Sequence, residues 1–229
     1  MKFDETRDFP YYKHNPRISK TAWIILLLLI PISLLVYSLI PTQSELIASI
    51  VFCMVLLIPV LYFSNWDYRL LFKKPGRNEI ILAVLMFAGY IIYSLIIGTI
   101  LDAANLSGTG LDEALVINLE STVALIFSIM AEELIKFIPL MFFLRLFYKY
   151  TDNRNMSIVL SSVIIMIGFG LLHYSPPYTT LISSLALQGF GTIFELYGYI
   201  RTKNVLVPYI SHLLTDGIIF ILVMLGLAI

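Results

Sequence analysis

Two glutamates and a lysine, Glu132, Glu133 and Lys136, stand in the middle of a long apolar run, in the stretch AEELIKFIPL. At the midpoint of a membrane helix each ionised side chain costs about 2.5–3.5 kcal/mol on insertion scales. Each Leu, Ile, Phe or Val recovers only about 0.3–0.6 kcal/mol. Three such groups within two turns point to work that needs charge inside an apolar medium. On a helix, Lys136 shares a face with both acids, four residues from Glu132 and three from Glu133. It can neutralise one carboxylate and leave the other as a proton acceptor, and such a pair suits general base and general acid work.

Two further motifs carry chemistry. His212 and Asp216, in HLLTD, are four apart, so Asp216 can hold one ring nitrogen and leave the other for a substrate oxygen or a metal. His173 closes the run FGLLHY, where Gly168 and Gly170 permit close helix contact. Glu195, near the basic end of another apolar run, is a further ionisable group. Each motif also has a purely structural reading. A Glu–Lys pair can bind helices together, His212 with Asp216 can be a structural hydrogen bond, and a histidine at a span end can be interfacial. Phe169 and its neighbours read as core or lipid-facing packing, and Ser128, Ser161, Ser162 and Ser211 can bond back to helix carbonyls.

The elements that must position these groups are apolar helices. The chain is 59% hydrophobic and 13% charged, with a mean hydropathy of +0.89. Soluble domains average about 45–50% apolar and about 25% charged residues, which places this chain in the membrane class. The balanced charge argues against a nucleic-acid partner. The single cysteine, Cys53, excludes disulfides within the chain and thiolate metal clusters.

Seven runs approach the roughly 20 residues that a bilayer requires. They cover residues 21–40, 45–63, 79–101, 121–147, 157–174, 178–200 and 205–227, separated by turn-forming stretches such as PTQS, KKPGRN and TDNRN. The expected fold is therefore all-α, a polytopic membrane bundle of about seven helices. Residues 1–20 read as a short polar tail containing a solvated His14, with no cleavable signal pattern, so the first span reads as a retained anchor. Residues 21–119 hold three spans and an outer loop, and 120–227 hold four. Trp23 and Trp66 fall at span edges, where interfacial aromatics belong.

Fourteen of the fifteen Lys and Arg residues fall in the tail and in the loops after the second, fourth and sixth spans. The fifteenth is Lys136. By the positive-inside rule this predicts a cytoplasmic N-terminus and a C-terminus on the opposite side. Asp102, Asp112, Glu113 and Glu120 lie toward the other side. Counted at the helical rise from the basic end of each span, His212 lies at about 12 Å and Lys136 at about 15 Å. Asp216 and the two glutamates fall at about 18–20 Å and His173 at about 24 Å. Convergence therefore requires helix tilt or kinks, for which Pro139 and Pro208 are placed.

At these residues the chain resembles the CPBP family, also called ABI, which includes the type II CAAX prenyl proteases. Its pattern is EExxxR, then FxxxH, then HxxxN or HxxxD on successive helices. The counterparts here are EELIK at 132–136, FGLLH at 169–173 and HLLTD at 212–216, with GYIRTKNVLVPYISHLLTDG as a similar approach to the last motif. EExxK with HxxxD is also the pattern of PrsW-type proteases, whose middle motif is usually FxxxE, so this chain looks intermediate.

The resemblance implies an intramembrane endopeptidase acting on a membrane-associated protein or peptide. It makes Glu132 the base that activates water and Glu133 its assistant. His173 would polarise water or substrate, and His212 would stabilise the oxyanion, with Lys136, Asp216 and Phe169 in support. Lysine lacks the guanidinium fork of the family's arginine. The cofactor stays open: none, or one divalent metal such as zinc held by His173, His212 and Glu132. Two other readings of the same residues are a non-proteolytic immunity or scaffold protein and a proton-coupled carrier.

Overall fold

A computed structural model of the chain describes residues 1, 3–4, 6–13, 16–40, 44–109 and 118–225. His14, Lys2, Asp112, Glu113, most of the PTQS turn and the end of the last span lie outside the described residues. Among the described residues there is no strand. The first five helices, all long, are α1 (Lys20–Leu39), α2 (Glu45–Phe63), α3 (Arg77–Ala103), α4 (Leu119–Thr151) and α5 (Arg154–Leu172). A short α6 (Leu181–Ser183) leads into a π-helical segment, Ser184–Phe190, followed by α7 (Ile193–Thr202) and α8 (Leu206–Met224).

Short polar residues set the helix starts. Ser19, Ser44, Asn118 and Asn153 each accept a hydrogen bond from a backbone N–H in the first turn that follows. α4 and α7 end on left-handed residues, Asp152 at φ 48° and Lys203 at φ 51°. Asn204 then fixes the turn into α8. Fully buried, it accepts from the Lys73 and Leu206 amides and donates to the Lys73 carbonyl.

Five helices, α1, α2, α3, α5 and α8, are long and apolar enough to cross a membrane. The other two expected spans depart from that pattern, and both carry ionisable groups. α4 holds Glu132, Glu133 and Lys136 at its centre. The expected continuous helix over 178–200 is instead divided by the π-helical segment, with Glu195 in its last part. α4 packs against α1, α2, α5 and α8. Neighbouring helices thus replace lipid around its charged turns, as irregular or charged segments at membrane depth require.

The π-helical segment has a close-packing partner in α5. A Cβ on Gly189 would lie 2.7 Å from the Met166 carbonyl oxygen, and one on Gly170 would lie 3.0 Å from the Gly189 Cα. Only glycine permits that approach. Gly168, expected to serve the same purpose, has nothing within 4 Å of its would-be Cβ.

The polar tail packs onto the bundle through its apolar residues. Phe9, Tyr11, Tyr12 and Ile18 are buried, and so is Trp23, which was expected at the interface. The Tyr11 ring meets Trp23 and Phe137, and Phe9 meets Tyr199. Tyr11 shares a 2.6 Å hydrogen bond with Ser64. Arg154 pairs with Asp8, Lys73 with Asp4, and Arg7 donates to the Arg69 carbonyl. The tail, the loop after α2, the α4–α5 turn and the α7–α8 turn therefore meet at one end of the bundle.

Candidate active site

Two helices bring five of the expected residues together, and a third adds Glu195. α4 supplies Glu132, Glu133 and Lys136, α8 supplies His212 and Asp216, and α7 supplies Glu195. Glu133 Oε1 lies 2.5 Å from Lys136 Nζ and 2.8 Å from His212 Nδ1. Lys136 is also ion-paired to Glu195, whose other carboxylate oxygen is 3.7 Å from His212 Nδ1. A carboxylate only accepts, so His212 Nδ1–H donates to Glu133 and its Nε2 turns the other way. There it lies 3.5 Å from Asp216 and 3.8 Å from Glu132. Glu133, more than Asp216, holds the imidazole in place, since 3.5 Å is long for a hydrogen bond.

The two adjacent glutamates thus occupy different environments. The Glu133 and Lys136 side chains are 4% and 3% exposed, against 27% for Glu132 and 35% for Asp216. Among the described residues no hydrogen bond engages the Glu132 carboxylate. Its oxygens face a cavity of about 230 Å³ also lined by His173, His212, Asp216, Gln188 and Tyr90.

His173 shares that cavity but stands apart from the ion cluster. Its Nδ1 donates to the Phe169 carbonyl at 2.9 Å, which leaves Nε2 as the nitrogen available for other partners. Phe169 is a buried wall between the two groups. Its ring packs on the His173 ring at 4.5 Å, and the Lys136 ammonium sits 4.6 Å from its centroid.

Several cavity residues have no signal in the sequence. Tyr90 comes from α3, Gln188 from the π-helical segment, and Thr192 and Thr215 from neutral positions. The Gln188 carboxamide oxygen is buried and has no hydrogen-bond partner among the described residues. π-Helical turns recur at functional sites, and a polar–apolar pattern alone does not reveal them. Glu195 looked peripheral because its position near a helix end resembles that of a surface charge.

The donor atoms that the fold gathers are not the expected metal set. Those of Glu133, Glu195 and His212 lie within 4.8 Å of one another, whereas His173 and Glu132 stand outside that group. The Lys136 ammonium already sits among the three, bonded to both acids and 3.4 Å from His212 Nδ1. A divalent cation there would meet a fixed positive charge at contact distance, so this donor set does not fit zinc.

Residues 114–218 match a family model described as Type II CAAX prenyl endopeptidase Rce1-like. No curated protein and no solved structure matches the chain. The matched segment contains the whole ion cluster, His173 and Gln188. Apolar helices around a charged central helix make the chain an integral membrane protein, and over residues 114–218, just under half of its length, it is similar to the CPBP, or CAAX protease-like, family.

Proposed function

We propose that the protein is an intramembrane endopeptidase that hydrolyses a membrane-associated protein or peptide, with Glu132 as the base. The observation that carries this reading is the division of labour between neighbouring glutamates. Glu133 is held by Lys136 and His212, while Glu132 opens onto a polar cavity with no hydrogen bond among the described residues. A water in the cavity would give its proton to Glu132 as its oxygen attacks the scissile carbonyl carbon. His212, as an imidazolium with Nδ1–H on Glu133, would donate Nε2–H to the developing oxyanion. On collapse the carbon–nitrogen bond breaks, and the proton held by Glu132 passes to the leaving amine. The cluster of Glu133, Lys136 and Glu195 orients His212. His173 Nε2 would orient the water, and the nearby Asp216 carboxylate would favour the imidazolium form of His212. Gln188 would bind the substrate backbone.

The same reading takes the fold as seven passes with the N-terminus cytoplasmic and the C-terminus opposite. The basic loops that meet at the tail end support that orientation. New protein N-termini in host membranes expressing the wild type, compared with Glu132→Gln at equal abundance, test the proposal. Cleavages present only with the wild type are expected. Identical sets of N-termini in the two membranes refute it.

A further inference from the structure

Away from the candidate active site, a cavity of about 260 Å³ lies between α1 and α4 at the tail end of the bundle. One face of each helix lines it. On α1 these are Lys20, Trp23 and Ile24, at the i, i+3, i+4 spacing of a single stripe, and on α4 Phe142, Arg145 and Lys149, at i, i+3, i+7. The helices run antiparallel here, so Lys20 at the start of α1 stands beside Arg145 and Lys149 near the end of α4. Three cations therefore form the rim. Trp23, Phe142 and Ile24 form the wall, with Trp23 and Phe142 in edge contact at 5.7 Å.

Among the described residues no carboxylate pairs with Lys20, Arg145 or Lys149. Arg145 spends one N–H on the Ile18 carbonyl at 2.8 Å, which keeps its guanidinium at the rim. Lys20 is the first residue of α1, so the positive end of that helix adds to the field. Ile24 is 58% exposed, so the apolar wall opens sideways toward the bilayer. The Trp23 indole N–H is buried and has no acceptor among the described residues.

We propose that this groove binds an anionic phospholipid, its phosphate against Lys20, Arg145 and Lys149 and an acyl chain along Trp23, Ile24 and Phe142. A neutral chain would leave three cations unmatched. A free phosphate would leave the apolar wall uncovered. Basic pockets between membrane helices at the side of positive loops are suited to such headgroups. The site stands independently of the proposed hydrolysis.

Native mass spectrometry of the detergent-purified protein tests it with phosphatidylglycerol, with phosphatidylcholine of matched chains, and with inorganic phosphate. The wild type should retain phosphatidylglycerol selectively and gain thermal stability from it but not from inorganic phosphate. Lys20→Gln with Lys149→Gln should weaken phosphatidylglycerol binding about 30-fold, one cation's share being lost twice. Ile24→Trp, at an exposed position that does not threaten folding, should block the wall and lower retention in the same way. Equal retention of the two lipids, stabilisation by inorganic phosphate alone, or wild-type binding by either variant would overturn the proposal.

Discussion

Glutamine at position 133 keeps the size of the side chain and removes its charge, in the most enclosed part of the ion cluster. The Glu133 side chain is 4% exposed and touches both the Lys136 ammonium and His212 Nδ1. At the observed separation of 2.5 Å and an effective dielectric constant of about 20, the Glu133–Lys136 attraction is about 7 kcal/mol before desolvation. Substitution does not return the ammonium to water, so its desolvation cost remains. Breaking one partner of a buried pair costs about 3–5 kcal/mol. Lys136 keeps Glu195, which puts the expected loss near the lower end, about 3 kcal/mol. For a chain of this size that is a fall in melting midpoint of about 6–12 °C. Glu132→Gln changes a side chain that is 27% exposed and has no hydrogen bond among the described residues. Its expected effect is within about 0.5 kcal/mol, or about 2 °C. Melting in one detergent, followed by tryptophan fluorescence, compares the two variants directly. Equal shifts, or a larger shift for Glu132→Gln, would refute the division between a structural and a reactive glutamate.

The remaining predictions concern the support for the site, the tail and metal. Gly189→Ala would push a methyl group to within 2.7 Å of the Met166 carbonyl oxygen. It should displace the π-helical segment with its Gln188 and cost about 1–3 kcal/mol of stability, read as a lower melting midpoint. The Thr6 hydroxyl first, and then the Lys73 ammonium, hold Asp4 at about 2, below its ordinary value. A depressed acid stabilises the docked tail above its ordinary pKa and loses that contribution as pH falls through the folded value. Hydrogen-exchange protection of the tail should therefore persist at about pH 5 and fall toward about pH 2. Phenanthroline or EDTA should leave turnover unchanged, and metal analysis of the purified protein should find no stoichiometric zinc, because Lys136 takes the cation's place.

Much of the fold follows from patterns that a sequence displays openly. Six of the expected runs became long helices because sustained apolar length suffices to define them, and a capping Ser or Asn marks the start of four, α1, α2, α4 and α5. Glu132, Glu133, Lys136, His212 and Asp216 were legible because intramembrane charge is expensive and therefore conspicuous. Their partners were less so. Simple depth counting put His212 and Glu133 several ångströms apart, yet they meet at 2.8 Å, because a rise per residue carries no information on tilt or helix offset. Glu195 lay near an expected helix end, and only the division of that span by a π-helical segment shows how it reaches Lys136. Tyr90 and Gln188 are uncharged, so nothing in their spacing distinguishes them from packing residues. The packing of the polar tail is hidden for a similar reason: its charges dominate the pattern, while Phe9, Tyr11 and Tyr12 bury against the bundle and the charges pair around them.

Turnover by Glu132→Gln, in lipid nanodiscs and at a melting midpoint matching the wild type, tests the central claim most directly. The substrate is the peptide found by N-terminal comparison of membranes. Loss of a positioned general base predicts a fall of about 10²–10⁴-fold with the protein fully folded. Cleavage at the wild-type rate by that folded variant would contradict the account.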